Sequence, residues 1–371
     1  GEGNEYTFLH QGQLTIICPD PYKYGDEVIV EFPSDVVTVT NEGTAESYPV
    51  FELEVLEPVT FAMIQNQDDE YVAIGTPIES DSEAAEELTH IFEHDFSSFT
   101  GWSQVPSGES YDGPLGGLVD GSFAIGTGQW LVSDYGTNPN GWHGPSRITS
   151  FSESLQDFQI DFFVSQLNFV GELGKVVLFL KDETGNVVAS MGARDQTIAT
   201  GYYNKVQFYL GNSERLIFDY QGFNNTQIWM RLIRKGQQFT AMAYQVRDDG
   251  TMFNKVTRTF DDRLLEYQTP IRQAAVYVAT FKEYSATRMY VNHLKAYRVN
   301  DLSGNQIPYI AQPGDIITFD HVNEVLLING EPRMDIKDFG GTYFKLHKGI
   351  NQLAVYPNAF NTRLRYMPRY S

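Results

Sequence analysis

Val50-Phe51-Glu52-Leu53-Glu54-Val55 alternates strictly, with Phe51, Leu53 and Val55 on one side and Glu52 and Glu54 on the other. Side chains of an extended strand point to opposite faces in turn, so the pattern predicts a half-buried β-strand. Ile160, Phe162 and Val164 repeat it, opposed by Asp161 and Ser165. Hairpin punctuation follows: Asp249-Gly250 stands between Tyr244-Gln245-Val246 and Val256-Thr257, and Asn329-Gly330 follows Val325-Leu326-Leu327-Ile328. Such dipeptides accept the positive φ angles of tight hairpins. Short runs broken by Gly, Asn, Asp and Pro continue from residue 100 to the end. The chain is expected to be all-β, built of sandwiches or barrels.

One stretch reads as helical, Ser82-Glu83-Ala84-Ala85-Glu86-Glu87-Leu88, with Ser82 as N-cap and acids in the first turn. It follows the acidic Ile78-Glu79-Ser80-Asp81, and residues 79–90 read as a junction between domains. The polar cluster Asn300-Asp301-Leu302-Ser303-Gly304-Asn305 reads as a second. The piece between them, about 220 residues, suits one large sandwich, whereas the flanks together make about one small domain. A domain inserted into a split host explains both facts.

The 371 residues carry 26 Lys+Arg against 48 Asp+Glu, a formal net charge of -22. That excess would repel a phosphate backbone over most of the surface and argues against a nucleic-acid partner. The lone Cys18 excludes an internal disulfide framework and a multi-Cys zinc site. The strongest apolar run, Val176-Val177-Leu178-Phe179-Leu180, is strand-sized, so no membrane span is expected. Gly1-Glu2-Gly3-Asn4-Glu5 shows no signal-peptide pattern and no initiating Met, which suggests a processed or cut fragment.

Glu52-x-Glu54-x-x-Glu57 loosely matches the paired acids of laminarinase-type glycosidases, but Glu57 falls on the opposite strand face and no Trp flanks the group. A solvated strand face is the plainer reading. His90 and His94 stand four apart, yet Ile91 occupies the position where a zinc protease needs Glu. No nucleophile elbow or phosphate loop is present.

The informative cluster is Trp130-Leu131-Val132-Ser133-Asp134-Tyr135-Gly136-Thr137-Asn138-Pro139-Asn140-Gly141-Trp142-His143-Gly144-Pro145-Ser146. Sugars present apolar C–H faces with a rim of hydroxyls, so a site for them combines flat aromatic rings with side chains that donate and accept. Gly and Asn allow the tight loop that would aim such rings outward. The rival reading makes Trp130 and Trp142 core residues. Arg194-Asp195 and Tyr202-Tyr203 add polar and aromatic groups at a later turn, with the same ambiguity.

Pro313-Gly314-Asp315-Ile316-Ile317-Thr318-Phe319-Asp320 through Asn329-Gly330, Phe344-Lys345-Leu346, Gly349-Ile350-Asn351 and Arg363-Leu364-Arg365-Tyr366 resemble the C-terminal galectin-like domain of phage distal tail (Dit) proteins. These belong to siphophages of Gram-positive bacteria. Cys18-Pro19-Asp20-Pro21-Tyr22-Lys23-Tyr24-Gly25, Asn41-Glu42-Gly43-Thr44 and Tyr48-Pro49-Val50-Phe51 resemble the end of the Dit belt domain and the start of the galectin-like one. Gly141-Trp142-His143-Gly144-Pro145-Ser146 and Leu180-Lys181-Asp182-Glu183-Thr184-Gly185-Asn186 resemble the insert of "evolved" Dit proteins, a carbohydrate-binding module.

The resemblance implies a discontinuous galectin-like β-sandwich with an inserted concanavalin-like jelly roll. Its parts would be a belt remnant at 1–29, a galectin-like domain at 30–78 plus 302–371, and the module at 79–301. It further implies a virion protein at the tail tip, made in the host cytoplasm, forming a homohexameric ring with tail-tube and tail-associated proteins. With the belt largely missing, ring assembly by this chain alone is in doubt. The insert would bind host cell-wall polysaccharide, expected to be neutral given the acidic surface. Expected binding residues are Trp130, Tyr135 and Trp142 as platforms, with Asp134, His143 and Arg194 as polar partners and Tyr202 and Tyr203 beside them. No catalytic residues and no cofactor are expected; acidic loops leave room for a structural Ca²⁺, though no recognised calcium motif appears. The alternatives are a sandwich enzyme degrading wall glycan, and an insert that only contacts baseplate neighbours.

Overall fold

The structure, a computed structural model, describes residues 20–199, 203–211, 213–218 and 221–371. Cys18, most of the expected 1–29 remnant and Tyr202 lie outside the described residues. Among those described, helix is confined to two 3-10 turns, Gln221–Phe223 and Met334–Ile336. The chain is all-β, and it divides into two compact units. One comprises the described residues up to Gly75 with Ala311–Ile328 and Arg333–Ser371; the other comprises Thr76–Ile310 with Asn329–Pro332.

The first unit weaves both ends of the chain into two sheets. One runs Val28–Glu31, Phe360–Tyr366, Val50–Val55, Ile316–Asp320, Val325–Ile328; the other runs Val36–Asn41, Gly349–Tyr356, Phe61–Asn66, Tyr71–Gly75. Phe51, Leu53 and Val55 are fully buried, with Ile317, Phe319 and Leu364 on neighbouring strands and Ile64 and Val355 on the other sheet. On the opposite face Glu52 lies 3.4 Å from Arg365 Nε, and Glu54 accepts a 3.0 Å bond from Asn361 Nδ2. Cross-strand partners of this kind make the acid pair a solvated ladder.

In the second unit an eleven-stranded and an eight-stranded sheet enclose one apolar core. The first centres on Ile271–Phe281, Glu172–Lys181, Val187–Asp195 and Asn204–Leu210; the second on Arg288–Val299, Phe158–Leu167, Thr226–Lys235 and Gln238–Val246. The unbroken run Val176–Leu180 has a simple cause. Val176, Leu178 and Leu180 enter the main core, while Val177 and Phe179 enter a second cluster with Tyr111, Leu115 and Tyr277 on the sheet's other face. A strand covered on both faces loses its polar alternation.

The helix expected over Ser82–Leu88 does not form. Glu83–Ala85 is a strand paired in parallel with Gln306–Pro308, and Leu88–His94 is a strand at the edge of Arg288–Val299. Ser82 turns the chain instead: its Oγ accepts the Glu79 N–H at 2.7 Å. Tertiary pairing overrides a weak local helix preference here. A register shift between Ala296 and Tyr297 sends His90 and His94 to opposite faces. His94 packs against Phe96, Trp102 and Trp130, while His90 is exposed beside Glu93.

Candidate functional site

The aromatic cluster chosen from sequence separates in space. Trp130 is wholly buried, its ring packed among Phe96, Phe99, Trp102 and Phe123, and its indole N–H bonded to Ser98 O at 2.8 Å. It pairs with Val291 on the inward side of the eight-stranded sheet, so it has no face to offer a sugar. His143 is also corrected: at 3% exposure it pairs with Thr280 and serves the sheet. Tyr135 is half-buried against the core, and burial, with the Glu172 and Tyr290 groups, pushes its hydroxyl well up. Asp134 is exposed, and its carboxylate accepts the Gly136 N–H at 2.9 Å, a turn-forming contact.

Trp142 and Arg194 share the outer face of the eleven-stranded sheet, and Tyr203 stands next to Lys205 there, the Lys205 ammonium 5.0 Å from its ring. The segment 111–118 lies across this face. Lys175 Nζ donates to Leu115 O at 2.7 Å and Gly116 O at 2.6 Å, Arg194 to Pro114 O at 2.9 Å, and Tyr277 Oη to Leu118 O at 3.0 Å. The Lys175 ammonium is fully buried, 4.6 Å from the Trp142 ring, and desolvation holds its pKa well below the usual lysine range. Trp142 and Arg194 are thus engaged with the protein itself.

A second constellation lies on the outer face of the eight-stranded sheet. Phe163 stands opposite both Trp229 and His293, and Trp229 opposite Tyr244. The Phe163 and Trp229 rings stack at 4.5 Å and 10°, and Trp229 and Tyr244 at 6.2 Å and 5°. Stacked this way the rings cover one another's faces and form a stiff apolar wall. On one side Asp161 receives two N–H contacts from Arg231, at 2.6 and 3.3 Å. Desolvation opposes the Arg231 charge, yet Asp161 raises its pKa further. Glu93 accepts from His293 at 2.7 Å and stands 3.2 Å from Lys295 Nζ. Partial burial works against the Glu93 charge, but those two donors hold its carboxyl below the usual range.

On the other side, two residues further along the strands, is an open pocket of about 450 Å³. Gln129, Ser165, Asn225, Thr226, Gln227, Gln245 and Tyr290 line it with amides and hydroxyls; Leu167, Val246 and Phe253 supply apolar surface. Asn292 holds two of these in place, accepting from Ser165 Oγ and donating to Gln129 Oε1, both at 3.1 Å. Asn254 Nδ2 fixes Gln245 at 2.8 Å. None of the described residues lining the pocket carries a charge. Sequence reasoning passed over Trp229 and this pocket. The signal was present: Ile228, Met230 and Leu232 alternate with Gln227, Trp229 and Arg231, which places a Trp on the polar side of a strand.

Among the described residues no three His, Cys, Asp or Glu side chains gather as a metal site, and no helix is long and apolar enough to cross a membrane. Residues 282–370 match the family model described as siphovirus-type tail component, C-terminal domain. No curated protein matches the chain. Among solved structures, the CBM2 module of the Lactobacillus casei BL23 phage J-1 evolved Dit is 15% identical with a TM-score of 0.47, over 59% of this chain and 100% of that one. The Lotus tetragonolobus seed lectin is 10% identical with a TM-score of 0.35, over 57% and 100%. The Bacillus licheniformis β-glucanase is 9% identical with a TM-score of 0.38, over 57% and 99%.

Proposed function

The chain carries the C-terminal domain of the siphovirus-type tail components, and on that premise we propose that its inserted sandwich is a non-enzymatic module that binds a neutral cell-wall polysaccharide of the host during adsorption. The observation that carries this reading is the composition of the pocket beside Trp229. Seven amide or hydroxyl side chains and three apolar ones line it, with no charged group among the described lining residues. Neutral sugars need that mixture: donors and acceptors for hydroxyls, and apolar surface for C–H faces. Hydrolysis would need two carboxyl groups flanking the bond, and the described lining offers neither.

An open site of this size would hold one short glycan weakly. In a homohexameric ring at the tail tip, with tail-tube and tail-associated proteins, several copies could engage one polymer and gain about 10²–10⁴ in avidity. The test is titration of the full chain with purified wall polysaccharides of Gram-positive hosts. Binding of a neutral polymer that falls at least about tenfold in Gln227→Ala and Tyr290→Ala, without release of reducing ends, supports the reading. Binding to none of them, binding unaffected by both substitutions, or steady release of reducing ends would overturn it.

A further inference from the structure

Buried polar groups stand at both ends of the inserted sandwich's core, Arg234 and Asp262 at one and a larger set at the other. There Gln166, Asn168, Glu172, Asp195, Asn204 and Thr287 continue the inward-facing positions of strands that elsewhere place Val164, Val176, Ala193, Val206 and Met289 in the core. Gln166, Asn168, Asp195, Asn204 and Thr287 are each 2% exposed or less. Each adjoins Gly174 or Asp195. Gln166 Nε2 donates to Gly174 O at 3.4 Å, and Gly174 is the register partner of Asp195, which in turn is that of Asn204. Thr287 Oγ1 occupies the space over Gly174, where a Cβ would come within 2.0 Å of it. Asn168 Nδ2 donates to Asp195 Oδ2 at 2.8 Å.

These bonds fix which way each amide points. The nitrogens of Gln166, Asn168 and Asn204 face Gly174 O, Asp195 and Phe223 O respectively, so their oxygens face away from those partners. Gln166 Oε1, Asn168 Oδ1, Asn204 Oδ1, Thr287 Oγ1 and Glu172 Oε2 are all buried, and none has a hydrogen-bond partner among the described residues. Buried polar atoms are rarely left so, and five oxygens on residues around the single register pair Gly174–Asp195 form a specific pattern. It asks for a species that accepts lone pairs.

We infer that this end of the sandwich binds a hard divalent cation, Ca²⁺ by preference, through the Asp195 carboxylate and the side-chain oxygens of Gln166, Asn168, Asn204 and Thr287, with Glu172 closing the rim. Calcium takes six to eight oxygen ligands in flexible geometry, including Asn and Gln carbonyls, whereas Mg²⁺ demands a strict octahedron and sheds water reluctantly. The set contains no nitrogen or sulfur ligand that would favour zinc or copper. Two carboxylates and otherwise neutral oxygens place the dissociation constant at about 10⁻⁵–10⁻³ M, the weak end for calcium sites. The ion would join Gln166 of the eight-stranded sheet to Asp195 and Asn204 of the eleven-stranded one, closing the open end of the core.

The experiment uses the full chain stripped of metal by a chelator. Calcium should raise the melting temperature of the inserted sandwich by about 5–10 °C at a hundredfold excess over the dissociation constant. Terbium should bind at one site per chain and be displaced by calcium. Asp195→Asn should abolish both responses. If that variant fails to fold, Glu172→Gln at the rim should keep the metal-free melting temperature and lose about tenfold in calcium affinity. Glu183→Gln, exposed in the turn beyond the opposite end of Glu172–Lys181, should bind as the parent does. No thermal shift and no terbium signal up to about 10 mM, the response of an end filled by water alone, would overturn the assignment. So would a response that survives both Asp195→Asn and Glu172→Gln, which would trace it to the acidic surface.

Discussion

Trp130 donates its indole N–H to the carbonyl of Ser98 at 2.8 Å, while its ring meets Trp102 edge-on at 5.1 Å. The pair closes the core of the inserted sandwich beneath Phe96 and Phe99. Removing the Trp130 ring leaves a large cavity and an unmet carbonyl. Trp130→Ala should therefore destabilise the insert by about 3–5 kcal/mol in chemical denaturation. Glycan affinity measured well below the unfolding transition should be unchanged. A selective loss of binding with unaltered stability would return Trp130 to the list of sugar contacts.

That residue also shows where sequence stopped being informative. Alternation in Val50–Val55, and of Ile160, Phe162 and Val164 against Asp161 and Ser165, is enough to assign strands and their buried faces, because burial on one face imposes period two. Trp130-Leu131-Val132-Ser133-Asp134 lacks that contrast, and only its pairing with Tyr290 and Val291, Trp130 opposite Val291, fixes the ring inward. Trp229 was readable as outward-facing, but its stack with Phe163 and Tyr244 depends on cross-strand register, which no local pattern encodes. Glu83–Ala85 failed for a related reason: its partner, Gln306–Pro308, lies more than 200 residues away.

Lys175 is a buried ammonium that meets the carbonyls of Leu115 and Gly116 and the rings of Trp142 and Tyr277. Lys175→Met removes the desolvation cost of the charge but strands two carbonyls, each worth about 1–3 kcal/mol when left unmet. The segment 111–118 should loosen. Amide exchange at Leu115–Leu118 is expected to quicken by at least about tenfold while exchange in Val176–Leu180 stays slow. Uniform acceleration across both would mean that the lysine supports the whole sheet.

His321 in the first unit is 1% exposed, with Nδ1 2.9 Å from the Phe344 nitrogen and rings of Phe344, Phe51 and Tyr343 around it. Burial pushes its pKa down to about 4, against a weaker upward pull from the Phe344 backbone and Asp320. The unfolded chain takes up this proton near pH 6.5, the folded chain only near 4. Stability from this group is complete above about 6.5 and is lost as pH falls toward 4, by on the order of 3 kcal/mol in total. Denaturation midpoints for the first unit's transition should therefore fall through that window. His321→Phe should flatten the slope there, whatever it does to the absolute midpoint; an unchanged slope would assign the effect to carboxylates.

The pocket beside Trp229 makes a prediction about salt. Its described lining consists of amides, hydroxyls and apolar groups, whereas the charged pairs Asp161–Arg231 and Glu93–Lys295 lie on the far side of the aromatic wall and are already engaged with each other. A ligand held by neutral groups exchanges hydrogen bonds with water but displaces no counterions, and exposed charges are screened within about 10 Å at 0.1 M salt. Affinity for the wall polysaccharide should change by less than about twofold between 0.05 and 0.5 M NaCl. Removing the Tyr290 ring or the Gln227 amide should cost about 1.5–2 kcal/mol each, read as a faster dissociation rate. A steep fall of affinity with salt would require charged contacts, and would shift the site toward the Lys175, Arg194 and Lys205 row on the opposite sheet.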